Sequence, residues 1–127
     1  MVFYREMEET KNSLEKLGHK VLTPPLWRGD FHKLRDKDES EWFRLKPQLI
    51  KEHFDKIKDS DAILVLNYDK NSAKNYIGGN TLLELAIAFD CGKKIFLLNP
   101  IPMDLPYAEE IEVIKPVVIN GELEKIR

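Results

Sequence analysis

The segment Gly78-Gly79-Asn80-Thr81-Leu82-Leu83-Glu84 carries the sharpest chemical signal in the chain. Paired glycines ahead of a helix let backbone N–H groups come close to a ligand, and a helix N-terminus favours an anion. Glu84 falls in the first turn of the helix expected there, where the helix dipole helps keep a carboxylate ionised. An ionised, oriented carboxylate is what covalent attack on a sugar carbon requires. The same residues support a second reading. Thr81-x-x-Glu84 has the spacing of a capping box, in which Glu84 satisfies a backbone amide and does no chemistry.

Other residues fall where they can serve such a site. His53 shares a helical stripe with Ile50, Phe54 and Ile57. It is either a histidine packed at the core edge or a proton donor and acceptor facing Glu84. Asn67 and Asn99 end two aliphatic runs, and each binds a base or ribose or stabilises a turn. Tyr68 and Tyr76 shield a base or are ordinary loop tyrosines. Trp27, Arg28, Phe31 and Trp42, set among charges, form either a lid over a nucleotide or a satellite hydrophobic cluster. In the lid reading Arg28 meets a phosphate and Trp27 a base. Asp61 enters its strand at the amino end and reads as turn chemistry. Cys91, near a helix C-terminus, reads as inert core. No His, Cys, Asp and Glu residues have metal-ligand spacing, so neither a metal nor a cofactor is expected.

These residues need a scaffold. A first helix is expected from about Arg5 to Leu17, with Met7, Leu14 and Leu17 on one face and Gly18 as its stop. His19 to Thr23 reads as a short strand closed by Pro24-Pro25. An irregular, lid-like insert follows at about 26–46. Pro47 is a good first helical residue for the stripe through Ile57. Ala62 to Leu66 and Lys94 to Leu98 read as strands covered on both faces. A helix from Leu82 to Asp90, ended at Gly92, separates them. One or two turns from Glu109 to Ile114 and a last strand from Pro116 to Ile119 complete the order. Buried strands alternating with helices predict a single α/β domain over 1–127 with an open parallel sheet of about four strands. Such sheets bind ligands beyond the carboxyl ends of their strands. That edge gathers the loops after Thr23, Leu66 and Leu98.

Composition narrows the partners. Twenty Lys and Arg against 22 Asp and Glu leave a net charge of −2 in 127 residues, with no basic block. A nucleic-acid polymer is therefore an unsuitable partner. The longest apolar runs fall far short of the ~20 residues that a membrane helix needs. With no leader visible and one cysteine, a cytoplasmic protein is expected.

From about Phe3 onward the chain resembles the nucleoside 2-deoxyribosyltransferase superfamily, which includes the deoxynucleoside-monophosphate N-hydrolases. The landmarks are Ser60-Asp-Ala-Ile-Leu-Val-Leu-Asn67, Glu84-Leu-Ala-Ile-Ala-Phe-Asp-Cys-Gly-Lys93 and Ile95-Phe-Leu-Leu-Asn99. Tyr76-Ile-Gly-Gly-Asn-Thr81 and Asn99-Pro-Ile-Pro102 look closest to small prokaryotic members. The resemblance implies a Rossmann-like or flavodoxin-like fold and a glutamate nucleophile at Glu84. The loops at the carboxyl edge offer Asn67, Tyr68, Tyr76, Gly78, Gly79, Asn80 and Asn99 as candidate substrate-binding residues. The implied reaction breaks the N-glycosidic bond of a small nucleoside or nucleotide, by hydrolysis or base exchange. Two family aspartates are replaced, by His53 and Gly78, and the family's first strand, which would precede Phe3, is expected to be lacking. Those departures keep open an alternative: a nucleotide-binding or sensing module without catalysis. Edges left by that strand, and the assemblies of similar proteins, imply a homo-oligomer, a dimer or larger.

Overall fold

The computed structural model describes residues 4–23 and 36–127. It comprises two compact units, Met1–Lys56 and Ile57–Arg127.

In the first unit, α1 spans Tyr4–Lys16 and buries Leu14. Its end is set by Gly18, at φ +97°. The Gly18 N–H donates to Glu15 O at 3.0 Å and the His19 N–H to Leu14 O at 3.1 Å. This pair of reversed bonds is the Schellman arrangement that a left-handed glycine permits. Leu17 lies past the helix and is exposed rather than on its apolar face.

Two expectations fail in this unit. His19 to Thr23 has no regular structure. Without a ladder partner an extended segment is not a strand. At its end the Thr23 carbonyl accepts a hydrogen bond from Lys56 Nζ at 3.0 Å.

The second failure is the start of the next helix. α2 spans Glu39–Lys58, so Pro47 lies inside it and the described end of the insert is helical. Asp38 explains the start. Its carboxylate accepts the Glu41 N–H at 3.1 Å, and Trp42 N–H bonds Asp38 O at 3.0 Å. An N-terminal cap of this kind favours initiation eight residues before the proline. The apolar stripe accordingly begins at buried Trp42 and continues through Leu49 to Ile57. Pro47 costs the helix one backbone bond, because it has no N–H to donate.

The second unit contains the sheet. In order, β1 (Ala62–Val65), α3 (Gly79–Asp90), β2 (Lys94–Leu97), α4 (Ala108–Val113) and β3 (Val117–Val118) precede a short 3-10 turn at Leu123–Lys125. The strands lie in the order β1-β2-β3, all parallel. Ala62 pairs with Lys94, Val65 with Leu97, and Leu97 with Val118. The described residues thus form an open parallel sheet of three strands, not the expected four or so. The central strand is the best covered: Ile95, Phe96 and Leu97 are buried, whereas Ala62 to Leu64 of β1 are half-buried. An edge position accounts for that difference.

Leu85 and Ala88 of α3, Ile111 of α4, Leu97 and Ile119 are completely or almost completely enclosed. Phe96, Leu98 and Ile119 form a core cluster against which Leu64, Leu66, Tyr68, Leu123 and Ile126 pack. Gly92, at φ +69°, ends α3 as the sequence predicts. Cys91 departs from expectation. It is exposed at the C-cap of α3, where the chain has already left the helical face carrying Leu85 and Ala88. No described helix is long and apolar enough to cross a membrane.

Candidate functional site

Parallel strands place the ends of β1 and β2 at one edge of the sheet, and Asn67 joins the two loops that leave it. Its Nδ2 donates to Asn99 O at 2.9 Å and to Pro100 O at 3.0 Å. Its Oδ1 accepts the Asn99 N–H at 2.9 Å, while Asn99 Nδ2 donates to Asn67 O at 3.1 Å. An amide side chain both donates and accepts, which is why asparagine can close this clamp. Asn67 is fully enclosed, so its side chain offers no exposed atom to a ligand. Asn99 is half-buried and keeps its own amide oxygen outside these four bonds.

The loop after β1 is folded back on itself. Lys70 and Ala73 exchange backbone bonds at 2.9 and 3.0 Å, and Tyr76 N–H returns to Tyr68 O at 3.0 Å. Asp69 Oδ1 accepts the Asn75 N–H at 2.9 Å. Asn71 and Asn75 adopt positive φ, which asparagine tolerates better than most residues. Tyr68 packs on the core cluster, so its ring is largely a structural element. Tyr76 instead lies at the helix entrance. Lys70 Nζ stands 5.4 Å from its ring centroid, and a Cβ at Gly78 would meet its Cε2 at 3.3 Å. A side chain at Gly78 would press on that ring, whereas its φ of −81° is open to any residue.

Sequence reasoning passed over Tyr107. Its hydroxyl donates to Ile77 O, tying the loop after β2 to the segment that feeds α3. Burial raises the Tyr107 pKa above its ordinary value, and the neighbouring Tyr76 phenol raises it further. Only its place in a proline-rich approach to α4, Leu105-Pro106-Tyr107, hinted at a fixed conformation.

The entrance to α3 differs from the capping-box reading. Gly78 is the N-cap, and no side chain caps the helix. Leu82 N–H bonds Gly78 O at 2.9 Å. Thr81 is already the third helical residue and Glu84 the sixth, one turn too deep for a box. Glu84 also lies beyond the first turn, where the dipole acts most strongly. Helical side chains lean toward the N-terminus, and here that brings Glu84 back to the entrance. Asn80 Nδ2 donates to Glu84 Oε1 at 3.2 Å, in a half-buried setting. Gly79 is exposed, and a Cβ there would meet nothing within 4 Å. Neither packing nor backbone conformation in the fold calls for glycine at that position.

Tyr76, Gly78, Gly79, Asn80 and Glu84 thus share the start of α3, with Asn67 and Asn99 fastening the adjoining loops. His53 belongs to the Met1–Lys56 unit, half-buried on the α2 stripe between Leu49 and Ile57. Trp27 and Arg28 lie outside the described residues. Asp61 is exposed at the amino end of the sheet, its carbonyl accepting the Lys94 N–H at 3.2 Å. Among the described residues, no three His, Cys, Asp or Glu side chains are grouped to hold a metal ion. No protein-family model, curated protein or solved structure matches the chain.

Proposed function

We propose that the protein cleaves the N-glycosidic bond of a nucleoside or mononucleotide, with Glu84 as nucleophile. The observation that carries this reading is the position of Glu84. Its competing role, as the closing residue of a capping box, is unsupported because α3 begins at Gly79 and Glu84 lies six residues in. What remains is a half-buried carboxylate oriented by Asn80 at a glycine-lined helix entrance.

In the proposed reaction a Glu84 oxygen attacks C1′, forming a glycosyl ester as the C1′–N bond breaks. The bonding electrons leave with the base, which takes up a proton. Water, or a second base, then attacks C1′ and releases the carboxylate. Gly79, where added side-chain atoms would protrude into open space, allows a sugar phosphate to approach the first-turn N–H groups. Tyr76 supplies a ring beside them. A net charge of −2 without a basic block favours a small ligand over a polymer. The single cysteine is in keeping with a reducing, cytoplasmic setting.

The test is product analysis. A panel of ribo- and deoxyribonucleosides and their 5′-monophosphates is incubated with purified protein, and free base is separated chromatographically. Release from one ligand class supports the proposal. Binding without release transfers the site to the sensing alternative.

A further inference from the structure

At the opposite edge of the sheet, the amino ends of β2 and β3, the end of α3 and the residues that follow α4 line a groove of about 510 Å³. Its apolar lining includes Phe89, Ile95, Ile114 and Val117, and Lys93, Lys94 and Lys115 also line it. Phe89 is 57% exposed, Val117 51%, and neighbouring Val113 62%. Lysines at helix C-termini offset the helix dipoles, but the dipoles do not account for large apolar side chains held in water between them.

The same unit carries an acidic surface on the helix that leads into the groove. α4 reads Ala-Glu-Glu-Ile-Glu-Val, and Glu109, Glu110 and Glu112 are all exposed. Lys115 follows at once, at φ +53°, its N–H bonded to Glu112 O at 3.0 Å. A basic apolar groove and an acidic helix side by side are the two halves of an isologous contact. A two-fold axis near Val113 would carry the acidic helix of each copy to the lysines of the other and would take Phe89 and Val117 of both copies out of water.

We infer that a second copy of this chain occupies this groove, pairing through α4. The contact lies at the sheet edge away from Glu84, so it stands independently of the reaction proposed there.

Sedimentation of the full chain over a dilution series tests it. The unmodified protein is expected at twice its 14.9 kDa mass, dissociating on dilution and more readily at high salt. Phe89→Asp, at an exposed position, shifts it to one chain's mass with an unchanged circular dichroism spectrum. The double variant Lys93→Glu/Lys115→Glu and the double variant Glu109→Lys/Glu112→Lys each dissociate alone. Mixed, they restore a dimer, because each groove again faces a helix of opposite charge. A monomer at every concentration overturns the inference, as does a dimer indifferent to Phe89→Asp. Charge variants that fail to recombine overturn the pairing through α4.

Discussion

Replacing Asn67 by alanine removes three side-chain bonds from an enclosed site: those to Asn99 O, Pro100 O and from Asn99 N–H. At about 1 kcal/mol net for each bond, the loss comes to about 3 kcal/mol. Truncating an enclosed side chain adds a small void, while water recovers part of the loss at exposed Pro100. We expect a net cost of about 2–3 kcal/mol, a fall in melting temperature of roughly 10 °C for a chain of this size. Urea unfolding, followed by circular dichroism and by tryptophan fluorescence, measures it. Asn67→Asp is expected to be worse at neutral pH. A carboxylate can still accept the Asn99 N–H, but it faces two carbonyl oxygens to which it cannot donate. The folded state then favours the protonated acid, raising its pKa above the unfolded value of about 3.9. Stability is therefore greatest below that value and is lost as pH rises through the folded pKa. An Asn67→Ala cost under about 1 kcal/mol, or an Asn67→Asp protein equally stable at acid and neutral pH, refutes the clamp.

Tyr107→Phe is expected to cost about 1 kcal/mol and to remove one late-titrating phenol from the alkaline absorbance titration. The raised Tyr107 pKa means that its contribution is complete below the unfolded value of about 10 and disappears as pH climbs through the folded one. Gly79→Ala should stabilise the fold by about 0.5–1 kcal/mol, since the new Cβ meets nothing, yet weaken mononucleotide binding in calorimetry. Asp38→Ala should cost about 1 kcal/mol in thermal melts by removing the acceptor of the Glu41 N–H.

What was legible in the chain follows from how local each signal is. β2 and the end of α3 were read closely because an aliphatic run and a left-handed glycine act within a few residues. The start of α2 was misplaced because Pro47 is a conspicuous first-turn residue, whereas Asp38 sits inconspicuously among charges. The Thr81 box had the right spacing and the wrong register. Two weak helix formers, Gly79 and Asn80, precede it as helical residues, and Gly78 is the N-cap beside the Tyr76 ring. His19 to Thr23 has the residue types of a strand, but pairing depends on a partner that composition cannot reveal. Asn67 stands out in the sequence as a ligand or turn residue at the end of a strand, but the neighbour that its amide grips lies 32 residues away. Tyr107 was missed for the same reason: its acceptor, Ile77 O, becomes a neighbour only after the sheet has formed.

The central claim is that Glu84 attacks C1′, and base release by the Glu84→Gln protein tests it most directly. The amide keeps a side-chain oxygen for Asn80 Nδ2 and supports no cap, so stability and mononucleotide binding should change little. Release of free base should fall by several orders of magnitude, because an amide cannot form the glycosyl ester. Base release by Glu84→Gln at the unmodified rate would contradict the account.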